Sequence, residues 1–439
     1  MKPIVAIVGR PNVGKSCLFN KIIGRKKAIV KDEPGVTRDL NYGDVVDGSL
    51  TFTLIDTGGF EPDTKDEILA KVREQARVAI EDADIIIFLM DARQGLVQND
   101  TDVAGILRKA GKPVIYAVNK VDTPRVKDNI GEFFSLGMKE IIPVSAEHGM
   151  GIDELLDKIR EFIPETKEEI KEDVERIKIS VIGRPNVGKS TLVNKLLGYE
   201  RVMTSPVAGT TRDSIDTAFD VDERKYLLID TAGIRQKGKI SRAVEQYSVM
   251  QAIRSIDRCN VALIVIDAEE GITEQDERVA GIAYENGKGC VIVVNKWDAV
   301  EKTTNTAKEY EERIKWRAKF LQFAPVIFVS ALKGQRVKKI IDVVDEVNKQ
   351  LSTRVQTSLL NKFFNEFAKT HQPPVYKSKE IKIYYITQIS TNPPTFVAFT
   401  NYPEGIHFSY KRFFINKIRE EFGLDKIPVR LIFRKRERG

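Results

Sequence analysis

The chain predicts two α/β domains in tandem, each a mainly parallel sheet with helices on both faces, and a smaller α+β domain after them. Two observations carry that expectation. The octapeptide GRPNVGKS stands at residues 9–16 and again, letter for letter, at 183–190. Around both copies, β-branched apolar runs alternate with amphipathic stretches, the pattern of strands buried on both faces and joined by crossover helices. A third observation sets the end of the chain apart: from Gln356 onward the order becomes helix, strand, strand, helix, strand.

In the first copy IVAIVG (4–9), FTLID (52–56), DIIIFLMDA (84–92), PVIYAVNK (113–120) and EIIPVSA (140–146) read as strands, with helical patterns at 15–24 and 67–80. The second copy repeats them as IKISVIG (177–183), KYLLID (225–230), NVALIVIDA (260–268), GCVIVVNK (289–296) and APVIFVSA (324–331), with a helical pattern at 243–256. The repeat goes further. PGVTRD (34–39) and AGTTRD (208–213), and DTGG (56–59) and DTAG (230–233), are displaced by 174 residues, as the octapeptide is. NKVD (119–122) and NKWD (295–298) are displaced by 176, and SAEHG (145–149) and SALKG (330–334) by 185. Matched blocks in one order mean a duplicated domain whose second copy gained residues around 301–320. Between the copies, PETKEEIKEDVER (164–176) is dense in charge and reads as an exposed linker. The expected organisation is a first domain over 1–163, that linker, a second domain over 177–352 and a basic domain over 356–439. In the last, 358–370 and 410–423 read as helices and 381–389, 395–402 and 429–436 as strands.

With 439 residues, 42% hydrophobic and 30% charged, the chain has room for several cores and is not globally disordered. Cys17, Cys259 and Cys290 are far apart and form no CxxC pair, which excludes a disulfide framework or zinc site and suits a reducing compartment. Cys17 is expected to be a small buried residue. His148, His371 and His407 form no metal set. No run approaches the roughly 18 apolar residues of a membrane span, and the first apolar run is too short for a signal-peptide core; a cytoplasmic monomer is expected. Net charge is +7, yet residues 356–439 hold 15 Lys/Arg against 7 Asp/Glu, so the surplus belongs to the terminal domain. Such a module suits a polyanion, RNA foremost. Its aromatics Phe363, Phe364, Phe413 and Phe414 fit helical core spacing, while Lys411, Arg412, Lys417, Arg419, Arg434, Lys435, Arg436 and Arg438 are the candidate phosphate contacts.

GxxxxGK[ST] after a strand and before a helix is a phosphate-binding loop, because its glycines let backbone N–H groups face the anion. Gly9, Arg10, Pro11, Asn12, Val13, Gly14, Lys15 and Ser16 would frame one site; Gly183, Arg184, Pro185, Asn186, Val187, Gly188, Lys189 and Ser190 the other. Lys15 and Lys189 would neutralise the β- and γ-phosphates. Ser16 and Ser190 would ligate Mg2+, completed by Thr37 and Thr211, with Asp56 and Asp230 holding it through water. Gly59 and Gly233 would give an N–H to the γ-phosphate, within the stretches Asp56, Thr57, Gly58, Gly59, Phe60 and Asp230, Thr231, Ala232, Gly233, Ile234.

The later motifs select the base. An Asp carboxylate only accepts hydrogen bonds, and guanine alone presents two adjacent N–H donors on one edge. Asp122 and Asp298 therefore select guanine. Asn119 and Asn295 contact the imidazole side and tie loops together; the stems of Lys120 and Lys296 cover the ring face. Val121, Trp297, Ser145 and Ser330 complete the nucleotide-binding set, and Ala146 and Ala331 offer backbone N–H groups to the guanine carbonyl. The ligands expected are GTP and GDP at two sites. Phe60 and Ile234 stand where a water-orienting Gln follows DxxG in Ras-like enzymes, so intrinsic hydrolysis is expected to be slow. Glu67, Glu74 and Glu245 give no identifiable base, and RQKGK (235–239) is a switched basic loop or a solvated one.

These motifs resemble the TRAFAC class of Era-like GTPases, and the tandem GRPNVGKS loops resemble the EngA/Der family over essentially the whole chain. The resemblance implies two Ras-like P-loop GTPase domains, a C-terminal KH-like domain, GTP hydrolysis, and a role in ribosome biogenesis at the large subunit with rRNA contact. The terminal domain has no GXXG loop, the usual KH clamp on a nucleic-acid backbone. Related GTPases with an Asn in the loop use K+, which makes Asn12 and Asn186 candidate potassium ligands. A non-catalytic GTP-sensing RNA-binding scaffold and a tRNA-directed GTPase are the rival readings.

Overall fold

The computed structural model describes residues 2–25, 42–48, 50–57, 80, 83–109, 111–123, 128–163, 176–198, 205–208, 215–230, 252–371, 373 and 375–436. The chain divides into two compact units, one holding the first sheet and the other the second sheet together with the terminal domain.

In the first unit, β1 (Ile4–Val8) is apolar and buried at every position, as suits a central strand. It leads through the glycine loop into α1 (Lys15–Arg25). β2 (Tyr42–Asp47), β3 (Leu50–Asp56) and β4 (Ile85–Asp91) follow. Next come α2 (Gln98–Lys109), β5 (Val114–Asn119), β6 (Ile142–Pro143) and α3 (Ile152–Phe162). The sheet order is β2-β3-β1-β4-β5-β6, parallel throughout except for β2, which runs against β3. Strand order reverses at β1, so the loop after it opens at the carboxyl edge where such sheets bind ligands. α3 buries Ile152, Leu155, Leu156 and Ile159, one stripe at helical spacing laid on the sheet.

The second unit repeats the plan. β7 (Ile177–Ile182) leads into α4 (Lys189–Leu197). β8 (Ser205–Ala208), β9 (Ile215–Val221), β10 (Arg224–Leu228), β11 (Val261–Asp267), β12 (Gly289–Asn295) and β13 (Val326–Phe328) complete the sheet, in the order β13-β12-β11-β7-β10-β9-β8. β8 and β9 form its antiparallel edge. α5 (Glu274–Glu285) starts on a reciprocal capping box between Thr273 and Asp276. α6 (Thr306–Arg317) lies where the second copy gained residues. α7 (Lys338–Leu351) buries Ile340, Ile341, Val344, Val347 and Leu351.

The terminal domain is α8 (Thr357–Thr370), β14 (Ile383–Ser390), β15 (Thr395–Thr400), α9 (Phe408–Phe422) and β16 (Arg430–Lys435), the order expected. β15 is the central strand, antiparallel to β14 and parallel to β16. α8 and α9 cover one face through Leu360, Phe364, Phe367, Phe414 and Ile418, with the Phe367 and Phe414 rings stacked at 4.6 Å. Phe363 packs partly buried against this core, whereas Phe413 is 36% exposed, a correction to the expected core placement. This core is continuous with that of the second sheet. At the seam, Gln350 donates to Asp425 at 2.8 Å and accepts from the Lys426 N–H at 2.9 Å, and the Asn392 N–H donates to the Leu351 carbonyl at 3.1 Å.

Candidate functional site

Each glycine loop closes on itself through its lysine. Lys15 Nζ donates to the Gly9 and Arg10 carbonyls at 2.8 and 2.9 Å; Lys189 Nζ donates to Gly183 and Arg184 at 2.7 and 2.5 Å. Burial pulls each ammonium down to about 8, opposed by the charge of Asp56 in one and Asp276 in the other. Asn12 and Asn186 both sit at φ 64°, Gly14 at 95° and Gly188 at 94°. Left-handed residues alternating with Val13 or Val187 turn the loop amides into one concavity, and Asn is among the non-glycine residues that tolerate this conformation best. The second glycine is required twice over. A Cβ on Gly14 or Gly188 would strike Nδ2 of Asn119 or Asn295.

Those asparagines fasten three loops with one side chain each. Asn119, at the end of β5 and 2% exposed, donates to the Val13 carbonyl at 2.8 Å and accepts from the Ala146 N–H at 3.0 Å. Asn295 makes the same pair with Val187 at 2.9 Å and Ala331 at 2.9 Å. The phosphate loop, the NKxD loop and the SA loop are thereby one framework. Val121 and Trp297 add main-chain links, their N–H groups donating to Val144 and Val329 at 3.1 and 3.0 Å. The Trp297 ring, 8% exposed against Tyr310 and Phe328, is a packing residue.

The carboxylates that would read the base are held ionised. Ser145 Oγ donates to Asp122 at 2.5 Å, and this bond, with the Arg93 guanidinium beside it, lowers the Asp122 carboxyl below its ordinary range. A bond from Ser330, with Lys333 at 3.5 Å, does the same for Asp298. Lys120 and Lys296 take left-handed backbones, φ 67° and 60°, and reach buried Asp91 and Asp267 at 2.6 and 2.5 Å. Lys120 also donates to the Asn12 carbonyl at 2.8 Å.

The two copies differ at the carboxylate after the third strand. Asp56, 3% exposed, accepts from Ser16 Oγ at 2.6 Å, so a hydroxyl and a carboxylate with the hard oxygens a divalent cation prefers already meet. Thr57 Oγ1 beside it donates to the Ile7 carbonyl at 2.6 Å. Asp230 instead has φ 56°, and its N–H donates at 3.0 Å to Asp216, which is paired with Arg258. Thr37, Gly58, Gly59, Phe60, Glu67, Glu74, Thr211, Thr231, Ala232, Gly233, Ile234, residues 235–239 and Glu245 lie outside the described residues. Sequence reasoning missed several partners. Asp91 and Asp267 anchor the NKxD lysines; Asp100 and Asp276 hold the loop arginines, with Arg10 Nε at 3.4 Å and Arg184 Nε at 3.0 Å. Both pairs recur at the 176-residue displacement of NKxD, the signal that would have found them. Cys17 is exposed, contrary to expectation, because the first turn of α1 presents that position outward.

A cationic, amide-lined cradle joined to an acceptor-only carboxylate suits a purine nucleoside polyphosphate, and the chain carries it twice. The comparisons agree. The family described as 50S ribosome-binding GTPase matches residues 4–120 and 178–296, one match on each cradle. The KH-domain-like family of the C terminus of EngA bacterial GTPase enzymes matches 354–434. The chain is 52% identical over 438 residues to the GTPase Der of Geotalea daltonii, covering 100% of this chain and 99% of that one. It is 53% identical over 439 residues to that of Citrifermentans bemidjiense, again 100% and 99%. For the GTPase Der of Caldanaerobacter subterraneus the figures are 52% over 436 residues, 99% of each. None of the described helices is long and apolar enough to cross a membrane. With both cradles and the terminal domain matched in order along its whole length, the chain belongs to the Der (EngA) family and is a GTPase.

Proposed function

We propose that GTP binding and hydrolysis at the two cradles switch this chain on and off the large ribosomal subunit during its assembly, with the terminal domain contacting ribosomal RNA. One observation carries the switch. The loop that reads the second nucleotide, residues 330–334, runs into α7, and the far end of α7 is bonded to the terminal domain through Gln350 and Leu351. Asn295 ties that loop to the phosphate loop through Val187 and Ala331, so a shift at the phosphates on exchange of GTP for GDP has a rigid helix to travel along. The ribosomal setting is supported by the description of the matched family and by the basic terminal domain. In this reading the domains run 1–163, 177–352 and 356–439 with a linker at 164–176, and the chain works as a cytoplasmic monomer.

Within each cradle Lys15 and Lys189 neutralise the β- and γ-phosphates, and the N–H groups of the loop and of Gly59 or Gly233 orient the terminal one. Ser16, Thr37 and Asp56, and Ser190, Thr211 and Asp230, would hold Mg2+, which supplies charge neutralisation as the γ-phosphoryl group leaves. Phe60 and Ile234 can move no proton, so hydrolysis depends on positioning and charge. K+ at the exposed side-chain oxygens of Asn12 and Asn186 would add positive charge there. Asn12→Gly with Asn186→Gly keeps the left-handed turn and removes those oxygens. Turnover of the wild type should be faster in potassium than in sodium and that of the glycine variant equal in both; equal wild-type rates would remove the ion from the mechanism.

Sedimentation of ribosomal particles with the chain under GTP, GDP and a non-hydrolysable analogue tests the whole reading. Association with large-subunit particles should depend on the nucleotide. Identical association under all three would end the switch, and crosslinks to tRNA in place of rRNA would favour the tRNA-directed rival.

A further inference from the structure

We propose that the outer end of the terminal sheet is a stacking platform for single-stranded RNA. This deepens the reading above, on which it rests, by assigning the surface. β14 begins, and β15 and β16 end, at the same edge of the sheet, since β15 is antiparallel to β14 and parallel to β16. The register puts Tyr385, Phe399 and Arg434 in one row across the three strands. The adjacent row, Ile386, Ala398 and Phe433, faces the helical core. Strand alternation therefore turns Tyr385, Phe399 and Arg434 to the opposite face.

The row has the chemistry of a base-binding surface. The Tyr385 and Phe399 rings stack with centroids 4.4 Å apart at 18°, and Tyr385 remains 41% exposed. A register shift between Ile383 and Tyr385 brings Tyr384 to the surface as well, where the Arg436 guanidinium lies 5.0 Å from its ring centre. Segments 376–385, 399–404 and 434–436, which meet at this edge, hold six Lys/Arg against two Asp/Glu. Exposed rings interleaved with cations suit stacked bases and the phosphates between them. Protein-docking patches are depleted of lysine, whereas these segments hold four, Lys377, Lys379, Lys382 and Lys435.

Two features direct the choice to this edge. The other end of the sheet is docked on the second α/β domain, where Arg430 bonds the Glu285 carbonyl. The alternative cations on α9 are partly engaged: Lys417 pairs with Glu420 at 2.7 Å, and Arg419 lies 4.8 Å over the Phe323 ring of the second domain. Stacking on Tyr385 needs a ring and no base-specific donor, so binding should tolerate any sequence.

The test is fluorescence anisotropy of the full chain with a labelled oligouridine of about ten nucleotides. Tyr385→Ala should weaken binding by roughly five- to 100-fold and Tyr385→Phe should restore it. Arg434→Gln should lower the slope of log affinity against log salt by about one. Loss of binding in Lys411→Gln/Arg412→Gln with none in Tyr385→Ala would move the site to α9 and overturn the platform. Binding to ribosomal particles that survives nuclease yet is lost in Tyr385→Ala would give the face to a protein and overturn the platform as well. A wild-type chain that binds neither the oligonucleotide nor ribosomal particles would defeat the RNA reading itself.

Discussion

Asn119→Ala removes the side chain that fastens the phosphate loop to the NKxD and SA loops. In the folded chain it leaves the Val13 carbonyl and the Ala146 N–H without their partner in a site 2% exposed. Each unsatisfied buried group costs about 1–3 kcal/mol, so the variant loses about 2–6 kcal/mol, divided between the stability of the first domain and its affinity for nucleotide. If the cradle relaxes to reach water, the loss falls on binding, and 2 kcal/mol alone weakens it roughly 30-fold. If the cradle holds, the loss falls on folding. Titration with a fluorescent GDP analogue reads the first share, and urea unfolding the second. Asn119→Asp should be no better than Ala, because its carboxylate would face the Val13 carbonyl in place of an N–H. A two-site isotherm and a urea midpoint both equal to wild type would refute the reasoning, since neither share would exist.

Three further outcomes follow from the geometry. Burial holds Lys15 and Lys189 near 8, and a bound phosphate raises them; affinity should be flat below about pH 8 and fall as pH rises beyond it, with proton uptake on binding near pH 8. Calorimetry in two buffers of different ionisation enthalpy measures that uptake, and none would contradict the assigned role. Asp122→Asn replaces one of two acceptor oxygens by a donor facing the guanine N–H pair, so it should reduce guanine-nucleotide binding to the second site alone, read by equilibrium dialysis. Phe414→Ala, fully buried and stacked on Phe367, should cost about 3–5 kcal/mol. Because the terminal domain and the second sheet share one core, the two should lose stability together in denaturation followed by separate probes; independent transitions would break that link.

The duplicated architecture was legible because buried parallel strands such as Ile4–Val8 and Val261–Asp267 are unbroken apolar runs, and because the glycine loops recur without change. The edge strand Tyr42–Asp47 and the antiparallel strand Ile215–Val221, next to the edge of its sheet, escaped notice, since YGDVVD and IDTAFDV carry charges that interrupt the apolar pattern. Asn119 and Asn295 were read as loop ties, and each does tie its loops; their clash with any Cβ at Gly14 or Gly188 needed coordinates. Asp91, Asp267, Asp100 and Asp276 passed unremarked because an isolated carboxylate carries no periodicity; only the repeat marks them. The shared core of the terminal domain was hidden for a related reason. Leu424, Ile427 and Val429 lie in a short connection and are buried in one cluster with Val344, Val347 and Leu351 of α7, from another domain.

Equilibrium dialysis against GDP and ATP bears most directly on the claim that the chain holds two guanine-specific cradles. The wild type should retain two GDP per chain with no competition from ATP, and Asp298→Asn should retain one. One GDP per wild-type chain, or ATP held as firmly as GDP, would contradict it.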